Sequence, residues 1–235
     1  MKITVLTLFN KIYEPFLNSS IIKKAIEKKL VEIEIINFRD FSKSKHKSVD
    51  DTPFGGGPGM VLSIEPIVEA IKFYKKEISK VYLLTPTGKV FNQKIAKDIA
   101  KTNEHIILIS GHYEGFDARI KYYIDDEISI GDFILTGGEI PSLVIIDAVT
   151  RLIDNVIKSE SLISESFEND LLDHSVYTKP LIFENHSVPE ILLSGNHQKI
   201  KDFRNNERIE LTKLKRNDLY LKFINKNKER ENNDK

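Results

Sequence analysis

Apolar residues along this chain alternate between short continuous runs and longer stretches with helical spacing. The short runs predict β-strands at residues 3–8, 31–38, 80–85, 105–110 and 127–130. Continuous runs of this length are typical of strands that are covered on both faces. The helical spacing predicts helices at residues 12–29, 64–77, 91–102, 116–123 and 141–157. Alternation of strands and helices indicates an α/β fold with a mostly parallel sheet.

The apolar periodicity is lost at residues 158–170, which are rich in Ser and Glu. We therefore predict a first domain at residues 1–157, a linker at residues 158–170 and a second domain at residues 171–235. The second domain is polar, with helices predicted near residues 188–194, 196–205 and 216–225. The last stretch, residues 226–235, contains only polar and charged residues, so we expect a disordered tail.

Composition narrows the function classes. The 235 residues include no cysteine, which excludes disulfides, thiolate zinc sites and cysteine nucleophiles such as those of C5-pyrimidine methyltransferases. No run of ~18 apolar residues occurs, so we expect no membrane span, and with no export signal we expect a cytoplasmic protein.

The net charge is zero, but residues 196–235 carry 12 Lys and Arg against 7 Asp and Glu, or +5, which leaves −5 for the rest. A basic C-terminal segment is compatible with local contacts to the phosphates of a nucleic acid, and it is equally compatible with a solvated tail.

The 11 glycines fall in a few short motifs, and three of these motifs follow predicted strands: TPTGK after 80–85, GHYEG after 105–110 and SIGDFILTGGE at 127–130. Ligands bind outside the carboxyl ends of parallel strands, so the three motifs indicate a small-molecule cleft. The competing interpretation is that these connections simply need glycine turns. Neither G-x-G-x-x-G nor G-x-x-x-x-G-K-[ST] occurs, which disfavours dinucleotide dehydrogenases and P-loop NTPases.

Several long, irregular motifs carry a family resemblance. They are RDF at 39–41, HKSVDDTPFGGGPGM at 46–60, GHYEG at 111–115, SIGDFILTGGEIP at 129–141, DAVTR at 147–151, YTKP at 177–180 and LLSGNH at 192–197. Over about residues 1–225 the chain resembles the bacterial tRNA (guanine-N1)-methyltransferases that modify guanosine 37, which belong to the SPOUT superfamily. The resemblance implies a deep trefoil knot in the α/β domain and a small helical, tRNA-binding C-terminal domain. It also implies a homodimer with the active site shared between subunits, and S-adenosylmethionine as cofactor.

The resemblance assigns the cofactor pocket to the glycine loops. The implied cofactor-binding residues are Leu83, Leu84, Thr85, Pro86, Thr87, Gly111, Tyr113, Glu114, Gly115, Ser129, Ile130, Gly131, Asp132, Phe133, Ile134, Leu135, Gly137, Gly138 and Pro141. Glu114 would meet the amino group of the cofactor's methionine part, or help hold a magnesium ion used during methyl transfer. The six histidines show no metal-ligand spacing, so we expect no structural metal.

Methylation of guanine N1 requires removal of the proton that N1 carries at neutral pH. A carboxylate is a suitable general base, and a guanidinium stabilises the negative charge that develops on the O6 side of the guanine. By resemblance, these roles fall to Glu165 and Arg151; by position alone, Glu165 is a solvated linker residue and Arg151 an exposed cation near a helix end. The implied tRNA-binding residues are His46, Asp50, Gly55, Gly56, Gly57, Gly59, Met60, Ser166 and His197.

The chain departs from the family pattern at three positions. The family usually has Arg at His112 and Trp at Ile128, and its linker acid is Asp where this chain has Glu165. Two alternatives follow from the same features: a SPOUT enzyme that methylates a 2′-hydroxyl, or a non-catalytic RNA-binding homologue that has kept the fold. The basic run at Lys43, Lys45, His46 and Lys47 is compatible with phosphate contacts and with a solvated loop.

Overall fold

The first part of the chain is built on a parallel sheet. The structure is a computed structural model that describes residues 1–102, 104–163 and 165–233, and the chain forms two units, Met1–Lys158 and Ser159–Lys235. The strands of the first unit are β1 (Lys2–Thr7), β2 (Glu32–Asn37), β3 (Asp50–Asp51), β4 (Val61–Leu62), β5 (Ser79–Val90), β6 (His105–Ile109) and β7 (Asp126–Ser129). Its helices are α1 (Glu14–Leu17), α2 (Ser20–Glu27), α3 (Ile64–Tyr74), α4 (Gln93–Thr102) and α5 (Glu139–Thr150).

Five of these strands form one sheet in the order β2-β1-β6-β5-β7, and every neighbouring pair is parallel. Residues along β6 alternate between two hydrophobic clusters. Ile106 and Leu108 pack with side chains of α4 and α5, whereas Ile107 and Ile109 pack with side chains of α3. The sheet is therefore covered on both faces, as its continuous apolar runs predict. The prediction of an α/β fold with a mostly parallel sheet is confirmed; the trefoil knot stays a prediction.

Strand β5 differs from its prediction, which ended it at Thr85. Leu84 and Lys89 both pair with Ile128 of β7, so residues 85–88 bulge out of the sheet before pairing resumes. Gly88 permits this arrangement, because a Cβ at that position would collide with the backbone of Ile128. An apolar pattern does not reveal such a bulge, because the pairing with β7 decides which residues of β5 leave the hydrogen-bonded ladder.

Two helix predictions of the first unit were wrong in more than their end points. Residues 12–29 form α1 and α2 rather than one helix, because the backbone has a positive φ of 46° at Ser20, the first residue of α2. Residues 116–123 form a 3₁₀ helix at Ala118–Tyr122, where the Asp117 side chain accepts a hydrogen bond from the N–H of Arg119 at 2.9 Å. A 3₁₀ helix of this length shares the apolar spacing of a short α-helix, so the pattern alone does not separate the two.

Helix α5 begins two residues before the predicted 141–157 helix and ends earlier, at Thr150. Its N-cap is Gly138, which places Pro141 in the first turn. Beyond the helix end, Leu152, Ile153 and Val156 still pack against the core cluster. Apolar residues therefore continue at helical spacing in the turns that follow α5. For this reason the sequence pattern predicts a helix that is too long at its C-terminal end.

The second unit contains α6 (Ser159–Ile163), β8 (Ile182–Phe183), β9 (His186–Ser187), α7 (His197–Lys215) and α8 (Asn217–Asn233). The predicted helix at 188–194 is a 3₁₀ helix at Glu190–Leu193, and the predicted helices at 196–205 and 216–225 are the beginnings of α7 and α8. Asn196 caps α7 by accepting a hydrogen bond from the N–H of Lys199 at 3.1 Å.

Helix α8 extends into the C-terminal stretch. Helix α8 runs through Asn233 and so includes most of the stretch for which we expect disorder; residues 234–235 lie outside the described residues. Lys226 in α8 forms an ion pair with Asp170 at 3.3 Å. Lys, Glu and Arg are good helix formers, and a polar composition does not by itself prevent a helix that has begun on apolar residues such as Leu219.

Candidate active site

A cavity of about 680 Å³ opens at the bulge of β5 and at the carboxyl ends of β6 and β7. The β5 bulge forms one wall, and the loop after β6 forms a second. The segment between β7 and α5 closes the third side. This is the location at which open parallel sheets bind ligands, and the volume lies within the range of small-molecule sites.

The structure brings almost all of the predicted cofactor-binding residues together around this cavity. Its lining includes Leu83, Leu84, Thr85, Pro86, Thr87, Gly111, Tyr113, Glu114, Gly115, Ser129, Ile130, Gly131, Phe133, Ile134, Leu135, Gly137, Gly138 and Pro141. Asp132 is the exception, since its side chain is exposed and does not line the cavity. Further lining residues were not predicted: His112, Phe116, Ala118, Ile120, Lys121, Glu127, Ile128 and Thr136. Some of them lie on the 3₁₀ helix after β6, which carries no glycine motif.

Two walls of the cavity meet at Gly138. Its N–H donates to the carbonyl of Gly111 at 2.8 Å, and its carbonyl accepts from the hydroxyl of Ser110 at 3.1 Å. A Cβ on Gly138 would lie 2.7 Å from the Cα of Ser110, closer than a real side chain approaches backbone. Glycine at this position is therefore required by packing against the neighbouring backbone.

Beneath this junction lies a buried cluster of hydroxyl groups. The hydroxyl of Tyr13 lies 2.7 Å from that of Ser142 and 3.3 Å from that of Ser110. Burial raises the pKa of Tyr13 to about 12. The phenol therefore keeps its proton at physiological pH and is able to donate to one of the two serines, which fixes the start of α5 against the end of β6.

A buried carboxylate joins the cavity wall to the first strand. Glu139 is only 4% exposed, and its Oε1 accepts from the hydroxyl of Thr7 at 2.6 Å. Its Oε2 lies 2.7 Å from Nε2 of His112, whose ring packs 4.5 Å from the ring of Phe9. The sequence offered no signal for this pair, because it joins residues that are far apart along the chain.

His112 separates the cavity from a second one of about 780 Å³. The imidazole lines both cavities and fills the space beside Gly137, where a Cβ would collide with it. Phe9, Ile12 and Ile140 line the second cavity and are substantially exposed. His112 thus forms a partition between the glycine-loop cavity and an apolar surface depression.

Replacing Glu139 with alanine is expected to lower the free energy of unfolding by about 1–3 kcal/mol, because the buried hydroxyl of Thr7 loses its acceptor. Urea denaturation measures this. The matched control is Glu69→Ala, which removes a surface ion pair with Lys72 and should have little effect. The double variant with Glu139→Ala and His112→Ala should lose less free energy of unfolding than the two single variants together, because both changes remove the same interaction. Additive effects would show that the pair does not stabilise the fold.

A glycine-rich hairpin adjoins the cavity. Strands β3 and β4 pair antiparallel around the PFGGGPGM loop, and Gly55, Gly56, Gly57 and Gly59 all have positive φ. The N–H of Glu114 donates to the carbonyl of Met60 at 3.0 Å, and the N–H of Leu62 donates to the carbonyl of Gly115 at 2.9 Å. The hairpin is thereby hydrogen-bonded to the GHYEG loop, and the predicted tRNA-binding residues of this loop come next to the predicted cofactor site.

The remaining predicted tRNA-binding residues lie on separate elements. Asp50 begins β3 and is half-buried, and His46 is exposed on the segment before it. In the second unit, Ser166 accepts a hydrogen bond from the N–H of Asp173 at 3.0 Å, and His197 is the exposed first residue of α7. The structure does not bring these four residues together within one unit.

Comparison with known proteins decides the family. The family model described as "tRNA (Guanine-1)-methyltransferase TrmD" matches residues 1–222. The chain belongs to this family. It is 59% identical over 227 residues to the tRNA (guanine-N(1)-)-methyltransferase of Malacoplasma penetrans, covering 97% of this chain and all of the relative. The corresponding proteins of Ureaplasma urealyticum and Mycoplasma genitalium are 57% and 54% identical over 228 residues, covering 97% of this chain and 100% and 98% of the relatives.

Family membership confirms the resemblance drawn from the sequence motifs and favours the methyltransferase prediction over the two alternatives. An enzyme of this family uses a methyl donor and acts on tRNA. No helix in the described part of the chain is both long and apolar enough to cross a membrane. Within the same residues, no group of three or more His, Asp or Glu side chains is arranged to hold a metal ion.

The two predicted catalytic residues of this family member lie in different units. Arg151 is the half-buried C-cap of α5, and its N–H donates to the carbonyl of Asp147 at 3.2 Å. Glu165 is half-buried in the second unit, and its carbonyl accepts from the N–H of Glu168 at 3.1 Å. Within the first unit, Arg151 does not line the 680 Å³ cavity.

Proposed function

We propose that the protein transfers a methyl group from S-adenosylmethionine to N1 of guanosine 37 in tRNA. The observation that carries this proposal is the family match over residues 1–222, together with relatives that are more than half identical over nearly their whole length. We expect the enzyme to act in the cytoplasm, where its substrate is found.

The 680 Å³ cavity is the proposed cofactor site. Its walls present backbone groups from the glycine loops and the apolar side chains of Leu84, Ile130 and Leu135, which suit an adenosine moiety. Glu114 is the one acid of the GHYEG loop, and we assign it to the amino group of the methionine part. When bound, S-adenosylmethionine supplies an electrophilic methyl group. Glu114 and Glu127 both line the cavity, and one or two carboxylates together with ligand oxygens and water are the usual partners of Mg²⁺, so a magnesium ion held at Glu114 stays a proposal.

Glu165 is the proposed general base, which removes the proton from guanine N1. The residues that follow it form a turn that is fixed to α7. Arg208 donates from Nε to the carbonyl of Leu172 at 3.1 Å, and the N–H of Leu172 donates to the hydroxyl of Thr212 at 2.8 Å. These bonds limit the movement of the segment that carries Glu165, as the placement of a general base requires.

Arg151 supports the proposal of a shared active site. Helix α5 starts at the cavity and has 12 residues, so its C-terminal end lies roughly 18 Å away along the helix axis. An arginine side chain does not span that distance. We therefore propose that Arg151 stabilises the developing negative charge on a guanine bound at the partner's cavity, within a homodimer. The exposed apolar side chains of Phe9, Ile12 and Ile140 around the second cavity suit the dimer interface.

Transfer of a labelled methyl group tests the function. We expect the protein to label a tRNA transcript that has guanine at position 37 and to leave the same transcript with adenine at that position unlabelled. A 2′-hydroxyl methyltransferase would label both transcripts, because both carry the ribose. A non-catalytic RNA-binding protein would label neither.

Residues 1–157 are proposed to be the cofactor-binding domain, residues 158–170 a linker and residues 171–235 the tRNA-binding domain. The boundary between the two units of the structure lies at Lys158, close to the end of the first domain. A protein truncated after Ile157 is expected to remain folded and to bind S-adenosylmethionine with an affinity close to that of the full chain. Calorimetry checks this, and a large loss of affinity in a folded fragment would mean that the second domain contributes to the cofactor site.

A further inference from the structure

Phe54 is an aromatic side chain that the fold leaves in solvent. It lies in the PFGGGPGM loop and has a relative exposure of 103%. The N–H of Gly56 donates to the carbonyl of Pro53 at 3.2 Å, which closes a turn with Phe54 at its first central position. A fully exposed phenyl ring contributes nothing to the stability of the core and is accessible to a ligand that approaches the loop.

The loop that carries Phe54 is held in place at its base. Asp50 pairs with Leu62 across the hairpin, and Leu62 is completely buried. At the far end of the loop, Gly59 packs so closely on Glu114 that a Cβ would lie 2.6 Å from that side chain. Glu114 lines the cofactor cavity. Phe54 therefore projects from a hairpin that is bonded at its base to the GHYEG loop, and that loop forms one wall of the cavity.

Among the described residues, the two aromatic side chains next in exposure have partners within the fold. Phe73 is 73% exposed, but its ring packs edge-on against Tyr74 at 5.0 Å and Phe41 at 5.7 Å. Tyr122 lies beneath the ammonium group of Lys121 at 5.3 Å. Among the described residues, no aromatic ring or cation packs on Phe54 in this way. Both faces of its ring are available to a ligand.

We propose that Phe54 stacks on a nucleobase of the bound tRNA, beside the guanine that is methylated. This inference rests on the proposed function. Stacking uses the face of a base, so Phe54 is able to hold the neighbouring nucleotide without contacting N1 of the guanine that is methylated. The positive-φ glycines that follow Phe54 let the loop adapt to the strand, and their lack of side chains lets the RNA backbone approach closely.

A tryptophan at position 54 tests the stacking directly. The chain contains no tryptophan, so Phe54→Trp creates a single fluorescent reporter. We expect tRNA to quench its emission and S-adenosylmethionine alone to leave it unchanged. The matched control is Phe73→Trp, which also gives one exposed tryptophan and should not be quenched. Quenching of both variants, or of neither, would overturn the proposal.

Binding measurements complete the test. Phe54→Ala should weaken tRNA binding about 5- to 150-fold, the effect expected for loss of one base–aromatic stack, while S-adenosylmethionine binds as in the wild type. Phe54→Trp should retain tRNA affinity, and Phe54→Leu should not, because leucine has no aromatic face. If Phe54→Ala binds tRNA normally but alters the oligomeric state, the ring belongs to a protein interface and the proposal is wrong. If the wild-type protein itself does not methylate tRNA, the failure lies with the proposed function.

Discussion

Replacing Glu165 with glutamine is expected to slow the methyl-transfer step on the order of 10²–10⁴-fold, the usual contribution of a positioned general base. Glutamine keeps the size of the side chain but cannot take the proton from guanine N1. Binding of S-adenosylmethionine should be nearly unchanged, because Glu165 belongs to the second unit and the proposed cofactor cavity is lined by residues of the first. Single-turnover kinetics with saturating tRNA separates the chemical step from binding and product release.

The control variants use the acids next to Glu165. Glu168→Gln and Asp170→Asn change the charge of the same turn without removing the proposed base, so each should retain most of the activity. Glu165→Asp should retain much more activity than Glu165→Gln, since it keeps the carboxylate and the family usually has aspartate at this position. Full activity of Glu165→Gln would move the role of the base to another residue.

Replacing Gly138 with valine is expected to abolish binding of S-adenosylmethionine. A Cβ at this position lies 2.7 Å from the Cα of Ser110 and 2.8 Å from the amide nitrogen of Gly111, and backbone atoms cannot rotate away. The start of α5 must therefore move off the loop after β6, which separates two walls of the cavity. Isothermal calorimetry measures the binding, and circular dichroism shows whether the variant remains folded.

Gly111 provides the matched comparison. A Cβ at Gly111 would collide with the ring of Phe116, which is a side chain and is able to rotate. Gly111→Ala should therefore weaken binding less than Gly138→Ala, and adding Phe116→Leu should recover part of the lost affinity. Wild-type affinity in a folded Gly138→Val protein would show that the cofactor does not bind in this cavity.

The sheet was predictable because its sequence pattern and its environment agree. Strand β6 lies in the middle of the sheet with helices on both faces, and this requires the continuous apolar run that the sequence contains. The β5 bulge was not predictable, because it depends on Leu84 and Lys89 both pairing with Ile128. The end of α5 was also hidden, since Leu152 and Ile153 keep packing against the core after the helix has stopped.

The cavity was predictable in outline and not in detail. The glycines that line the cavity are visible in the sequence, because they cluster in short motifs at strand ends, where backbone segments approach closely. The contact between His112 and Glu139 carries no such signal. Each residue is unremarkable in its own segment, and their proximity follows only from the way in which α5 packs against the end of β6. Asp132 lies within a pocket motif, but its side chain is exposed and does not line the cavity.

The most direct test of the account is mass spectrometry of a tRNA that carries guanosine at positions 36 and 37, digested after incubation with the protein and S-adenosylmethionine. The account predicts one added methyl group, on the base of guanosine 37 and at N1. A methyl group on the ribose of that nucleotide, or on another nucleotide, would contradict it. So would the absence of any methyl group when the protein is folded and binds S-adenosylmethionine.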